Sequence, residues 1–387
     1  MQRQERAMPE AVRIAMVIQS YLPRLGGAER QVAALAPLLQ AQGFEIEVFT
    51  RRYPGMVARE TVGGVPVHRL PVFGPKALAS LLYTAGSLNA IRAFRPQLLH
   101  AHELLSPATT ALAAKRFLGV PVVAKVLRGG ELGDIAKLKG KRTGQKRMAE
   151  MARQVDAFAV ISQEIDHELS EMGVPAERRV FIPNGVDTDR FQPAADPRSV
   201  RAALGLPADT PIVLYAGRLV PEKRVDLLVE TWPTIRSRFA DALLIIAGSG
   251  EQESALRAAA GAGVRFVGAV DNVPAYLQAA DVFILPSSTE GLSNAMLEAM
   301  SAGLAVVATA VGGAPDLMTH GKNGWLFAPD DAPALRLGLE TLLADADLRR
   351  RFGVGARAVI VERYSLRATA ESLGALYRRL LSERAPV

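Results

Sequence analysis

Val282-Phe-Ile-Leu-Pro-Ser-Ser-Thr-Glu290-Gly-Leu-Ser-Asn-Ala-Met-Leu-Glu298 is the stretch on which the fold turns. Val282–Leu285 is a short apolar run closed by Pro286, and the residues beyond Gly291 take up a helical period. A buried strand that passes through a loop into a helix is the repeating unit of a parallel α/β sheet. Two carboxylates lie eight positions apart here, Glu290 in the loop and Glu298 two turns inside the helix. Glu290 can accept hydrogen bonds from sugar hydroxyls, and Glu298 can hold a ribose diol. Between them the amides of Gly291, Leu292, Ser293 and Asn294 open the helix, an arrangement that favours a diphosphate. A capped helix with two solvated glutamates has the same spacing.

The alternation extends both ways from this stretch. Further strands are expected at Ile212–Ala216, Leu243–Ala247, Val264–Val267 and Ala305–Ala308, with helices between them and a mostly helical end from about Asp331 to Glu383. The first half opens with a strand at Arg13–Gln19 and a helix from about Ala28 to Gln42, where Val32, Leu35, Leu38 and Leu39 share a face. Strands follow at Glu45–Thr50, Leu98–His102, Pro121–Leu127, Ala157–Ile161 and Val180–Ile182. Two prolines among small and polar residues at Phe191–Arg198 read as an interdomain linker. At 387 residues the chain exceeds what one core usually serves. The expected fold is α/β, two Rossmann-like doubly wound parallel sheets in domains 1–193 and 194–365. Ligands of such sheets sit beyond the carboxyl ends of the strands, so two facing domains would place the crevice between them.

The other unusual residues also follow strand ends. In Ala216-Gly-Arg218-Leu-Val-Pro-Glu-Lys223, two cations flank a Pro-Glu helix start and could converge on one anion, compensating a diphosphate whose charge grows as it leaves. Arg218 could equally pair with Glu222 or Asp226. Leu25-Gly26-Gly27-Ala28-Glu29 joins the first strand to the first long helix, and its glycines permit close backbone approach; a simple tight turn reads the same way. Gly248-Ser-Gly250 begins a dinucleotide fingerprint, but Glu253 stands at its third position. His100-Ala-His102-Glu103 ends a strand. His100 reads as structural, whereas His102 could touch a transferred group, bind an acceptor or relay a proton. Asp187-Thr-Asp189 and Asp345-Ala-Asp347 imitate D-x-D metal motifs, but neither follows a sheet strand as a metal–nucleotide site requires, and no catalytic metal or cofactor is expected.

Composition narrows the classes. Cysteine is absent, which removes disulfides, thiolate nucleophiles and Cys-based metal sites, and suits a bacterial cytoplasm. The amino-terminal residues lack a continuous apolar segment with a small-residue cleavage site and read as a tail leading into the first strand. No run of roughly 18 apolar residues occurs. A formal charge of +7 attracts anions in general, but aromatics are few and no groove-reading motif points to nucleic acid. Lys137, Lys139, Lys141, Arg142, Lys146 and Arg147 crowd one segment of the first half. They could rest on an anionic membrane and bring a lipid-linked acceptor to the site, or form a solvated helix face.

In order, the words GGAE, HAHE, PNGVDTDRF, AGRLVPEK, AGSGE, FVGAV and EGLSNAMLEAMSAG run along almost the whole chain. Together they resemble the GT4 family of retaining GT-B glycosyltransferases, glycosyl transferases group 1. That resemblance implies Glu290 on donor-sugar hydroxyls, Glu298 on the nucleotide ribose, and Arg218 and Lys223 on the diphosphate. It also implies Gly26 and Gly27 approaching from the opposite domain, His102 close to the transferred sugar, and backbone near Gly268–Val270 at the base, with Gly248 on the same donor side. A final helix, about 366–387, would cross back onto the first domain. Where many relatives carry His-Gly or His-Asp, this chain has Arg128-Gly-Gly-Glu131, so Arg128 and Glu131 mark an acceptor side that does not transfer from relatives. The implied reaction moves a hexosyl group from an NDP-sugar, UDP favoured and GDP-mannose the other candidate, to a glycan, lipid-linked or small-molecule acceptor. It would proceed by a front-face route with retention and without a protein nucleophile. A UDP-sugar epimerase and a non-catalytic nucleotide-sugar-binding protein are the competing readings.

Overall fold

The computed structural model describes residues 11–24 and 26–384; the amino-terminal tail, Leu25 and the last three residues lie outside them. The first sheet contains β1 (Val12–Ile18), β2 (Phe44–Arg52), β3 (Arg59–Val62), β4 (Val65–Pro71), β5 (Leu98–His102), β6 (Val122–Lys125), β7 (Ala157–Val160) and β8 (Arg179–Phe181). Its strand order is β3-β4-β2-β1-β5-β6-β7-β8, and β3 alone runs antiparallel to its neighbour. The second sheet contains β9 (Ile212–Ala216), β10 (Leu243–Ala247), β11 (Val264–Gly268), β12 (Val282–Leu285), β13 (Ala305–Thr309) and β14 (Trp325–Phe327). Its order is β11-β10-β9-β12-β13-β14, all parallel.

Helices cover both faces of each sheet, which is why the strands are written as apolar runs rather than alternating ones. Every residue of β5, β7, β9, β12 and β13 is buried. In β1, Ile14, Met16 and Ile18 point towards the helix Gly27–Ala41, and Ala15 and Val17 point to the opposite side.

Three elements depart from the sequence reading. β3 and β4 form a hairpin at Val62-Gly63-Gly64-Val65, where both glycines have positive φ, 57° and 81°, as a two-residue turn of primed type demands. The helix Lys76–Phe94 spreads its apolar residues round its circumference and so hides its period. β14 is only three residues long. All lie at sheet edges or on the outside, away from the strands that face the cleft.

The chain crosses between the sheets twice, and the crossings run side by side. Val186 donates to Tyr364 O at 2.9 Å, and Leu366 donates to Val186 O at 2.8 Å. Phe191 already belongs to the second sheet's surroundings, since its carbonyl accepts from Ser301 Oγ (2.6 Å) and Arg357 Nη1 (3.2 Å). The first crossing therefore lies upstream of the proline stretch that reads as a linker. Beyond the second crossing, the helix Leu366–Ser382 packs on Gly27–Ala41 and buries Leu373, Leu376, Tyr377 and Leu380 there. No helix among the described residues is long and apolar enough to cross a membrane.

Candidate active site

The carboxyl ends of β1, β5 and β6 in the first sheet face those of β9, β10 and β12 in the second. Between them lies a cleft with two compartments that share Gly27, Ala216, Gly217, Arg218, Asn294 and Ala295 as walls. One, of about 330 Å³, takes in His102, Arg128, Lys223, Glu290 and Gly291–Ser293. The other, of about 370 Å³, takes in Gly26, Arg30, Gly248, Val270 and Glu298.

Glu290 is 8 % exposed and accepts two hydrogen bonds on one oxygen, from Lys223 Nζ at 2.5 Å and from Ser287 Oγ at 2.8 Å. Among the described residues the second oxygen has no hydrogen-bond partner, and Glu290 lines the first compartment, so this oxygen can accept a bond from a ligand hydroxyl. Lys223 reaches this carboxylate because the single 3-10 turn Pro221–Lys223, started by proline, follows β9 after only four residues. Arg218 is directed differently. It is mostly exposed and makes a 3.3 Å contact with Glu222, the bland pairing its sequence context allowed. It nevertheless lines both compartments, while Lys223 lines the first. Glu298 is half-buried in the wall of the second compartment, and burial pushes its carboxyl up to about 7 against the opposing pull of Arg30 and Arg190. The helix that follows Glu290 and carries Glu298 is Asn294–Ser301, capped by Ser293 Oγ on the Met296 amide.

In the first domain, His102 is buried at the end of β5, and its Nε2 has no partner among the described residues. Its ring stacks on His100 at 4.1 Å, and His100 Nδ1 is 2.6 Å from Tyr377 Oη on the last helix. Burial, reinforced by Lys125, holds His100 at about 3 and His102 well below the usual histidine value, so both are neutral. Arg128 reaches across to Glu222 at 3.8 Å. Glu131 is exposed and lines neither compartment, so the structure leaves it outside the cleft that the other sequence-derived residues share.

Several cleft residues were not among those the sequence singled out. Asn184 Nδ2 donates to Leu292 O (3.0 Å) and to Asn294 Oδ1 (3.2 Å), Gln31 Nε2 donates to the same Asn294 oxygen (3.1 Å), and Asn294 Nδ2 donates to Gly27 O (3.0 Å). Asn294 thus ties the second domain to the first-domain glycine loop and to the hinge. The signal for Asn184 was its place in the PNGVDTDRF segment, three residues after the end of β8. Glu103 sits at φ +107°, unusual for a residue with a side chain, and its carboxyl is pushed up to about 7 by burial and by Asp134. Lys125 was legible as a lone cation inside an apolar strand. The two D-x-D look-alikes are turn and helix caps: Asp187 Oδ1 accepts from the amides of Asp189 and Arg190, and Asp345 Oδ1 from that of Leu348.

Two parallel α/β sheets facing one another across a hinged cleft define the GT-B architecture of glycosyltransferases. Sucrose-phosphate synthase from Thermosynechococcus elongatus shares this fold with a TM-score of 0.82 at 24 % identity, covering 96 % of this chain and 100 % of that one. The Anabaena protein HepE, solved with UDP-glucose, shares it at 0.79 and 20 %, covering 95 % and 99 %. Residues 25–190 match the domain described as Glycosyltransferase Family 4, and residues 210–345 match that described as Glycosyl transferases group 1. A D-inositol 3-phosphate glycosyltransferase of Kineococcus radiotolerans is 31 % identical over 93 % of this chain and 92 % of its own length. A GDP-mannose-dependent alpha-(1-6)-phosphatidylinositol monomannoside mannosyltransferase of Mycolicibacterium smegmatis is 30 % identical over 83 % and 92 %. The chain belongs to glycosyl transferases group 1, family GT4, and is a glycosyltransferase.

Proposed function

We propose that this enzyme moves a hexosyl group from a nucleotide diphosphate sugar, with retention at the anomeric carbon and without a metal. The observation that carries this reading is the buried Lys223–Glu290 pair, set where the two strand ends meet and flanked by the opening of the helix Asn294–Ser301. A diphosphate entering the cleft would recruit Lys223 and Arg218, and the sugar would take over Glu290. The second compartment, with Gly248, Val270 and Glu298, has the size and the acid for a nucleoside whose ribose diol bonds Glu298. Gly26 and Gly27 approach the phosphates from the other side.

Retention follows from a front-face route: the leaving phosphate oxygen takes the acceptor proton while the acceptor attacks on the same face. Positioning, charge stabilisation of the departing diphosphate and exclusion of water as the domains close then supply the rate. UDP is favoured as the nucleotide, in keeping with the UDP-glucose complex of HepE; GDP-mannose, the donor named for the mycobacterial relative, is the competitor. The acceptor is a glycan, a lipid-linked glycan or a small polar molecule that meets His102 and Arg128. Lys139, Lys141, Arg142 and Lys146 are exposed beside that side of the cleft, which suits a peripheral contact with anionic lipid at the inner face of a membrane. Lys137 lines the cavity, and Arg147 is bonded to Leu105 O and to Thr109.

A thermal-shift screen of UDP, GDP and their sugars, followed by NMR of the product's anomeric configuration, tests the reading. A product of inverted configuration overturns retention, and donor turnover that yields an epimer without any acceptor overturns transfer.

A further inference from the structure

Lys125 is the last residue of β6 and is 3 % exposed. It pairs in register with His102 of β5, so both side chains leave the same face of the sheet and line the compartment that holds Glu290 and Lys223. Its carbonyl accepts from the Glu103 amide at 2.9 Å, but among the described residues its ammonium has no hydrogen-bond or ion-pair partner. An ammonium withdrawn from water and left unpaired carries a heavy desolvation penalty, and its burial is tolerated where a ligand supplies the counter-charge. Burial pushes its pKa down to about 8, which leaves it charged at pH 7. The two neighbouring histidines are neutral, so they neither compensate the charge nor repel an arriving anion. His102 adds an unpartnered Nε2 at the same wall.

This cation is not a third member of the diphosphate subsite. Gly26 and Gly27 follow β1, and the order β1-β5-β6 sets Lys125 two strands away, about 10 Å at ordinary strand spacing. Arg218 and Lys223 approach from the opposite domain. We propose that Lys125, with His102 beside it, forms a second anion-recognising subsite on the first-domain wall, which takes a carboxylate or phosphate carried by the transferred sugar or by the acceptor. The proposal rests on the nucleotide-sugar reading above, because it places the anion next to where Glu290 would hold the sugar. Charge-assisted bonds from a desolvated ammonium are strong and selective, so the subsite would discriminate charged from neutral substrates.

The test loads the enzyme with saturating UDP, or GDP if that is the nucleotide it binds, and titrates inorganic phosphate by calorimetry. Phosphate is expected to bind the loaded wild type and to bind Lys125→Met at least tenfold more weakly, with nucleotide affinity unchanged. Comparing UDP-glucuronate with UDP-glucose separates the two sources. A tenfold preference for the glucuronate that Lys125→Met erases assigns the anion to the transferred sugar. Equal affinities, with phosphate still binding the UDP-glucose complex, assign it to the acceptor. The proposal is overturned when loaded wild type binds no phosphate and shows no preference between the sugars, or when Lys125→Met keeps either property. Removing an unpaired buried charge is expected to raise the melting temperature of the unliganded protein; Lys125→Gln replaces the methionine variant should that one misfold. A wild type that binds neither nucleotide sinks the donor reading and is told apart at the first step.

Discussion

Lys223 and Glu290 hold each other at 2.5 Å with side chains only 13 % and 10 % exposed, so each is the other's answer to desolvation. Removing one member strands a buried charge, which costs about 3 kcal/mol in typical cases. Glu290→Ala is therefore expected to lower unliganded stability by that order in denaturant melts and to reduce transfer by at least about a hundredfold, the scale of losing one well-placed polar group. Full retained activity would refute the role given to Glu290. Glu298 makes a different prediction, because burial has moved its folded value from 4.5 up to about 7. The folded chain holds that proton more tightly than the unfolded one, so the group's destabilisation is absent below pH 4.5, grows as pH rises to about 7 and is constant above. Glu298→Gln should leave stability unchanged at pH 4 and raise it at pH 8 by up to about 3 kcal/mol, read as the difference between paired urea melts. Because a ribose diol would bond the ionised form, nucleotide affinity of the wild type should climb through pH 7 and level off, while that of the glutamine variant stays flat.

At the scale of elements, the loop from β12 to the helix Asn294–Ser301 is pressed against the end of the opposite sheet. A Cβ on Gly291 would lie 2.1 Å from Leu127 O, a backbone atom of the first domain that cannot step aside. Gly291→Ala should hold the domains apart and depress kcat more than nucleotide affinity, which steady-state kinetics and calorimetry would separate; unaltered kcat would contradict the close approach. The D-x-D pair at Asp345 is a contrast at the same scale. Its oxygen caps the helix Ala346–Arg363, so Asp345→Ala should cost about 1 kcal/mol and leave transfer unaltered.

For the whole molecule, the hinge and the latch are separate devices. The paired crossings at Val186 and Ser365 join the domains, whereas Asn294 spans the cleft to Gly27, Gln31 and Asn184. Asn294→Ala should widen the unliganded cleft, seen as an increased radius of gyration in solution scattering, and nucleotide should reverse the change; an unchanged radius would show that the hinge alone sets the closure. The last helix and the turn after it tie this end of the chain to the first sheet, through Tyr377 on His100 and through Arg384 on Asp156 at 2.9 Å, so the first domain is complete only when the chain has returned to it.

Much of this was legible in one dimension because it depends on local chemistry. A run such as Val282–Leu285 or Ile212–Ala216, too short for a helix and closed by Pro286 or Gly217, reads as a strand buried on both faces, and the loop that follows it opens at the carboxyl edge. The amino-acid order therefore determined the two parallel sheets, the strand-end placement of Glu290, Arg218, His102 and Gly27, and the resemblance that names the family. The hairpin at Gly63-Gly64 and the helix Lys76–Phe94 escaped because a two-residue turn and a period-free helix carry little pattern. Tertiary structure alone decided which side chains meet: that Lys223 and not Arg218 grips Glu290, that Glu131 lies outside, that Asn184 and Gln31 converge on Asn294, and that Lys125 faces the cavity unpaired. Those outcomes depend on distances between residues far apart in the chain and on how much water each site loses, and neither quantity is written in the spacing of a motif.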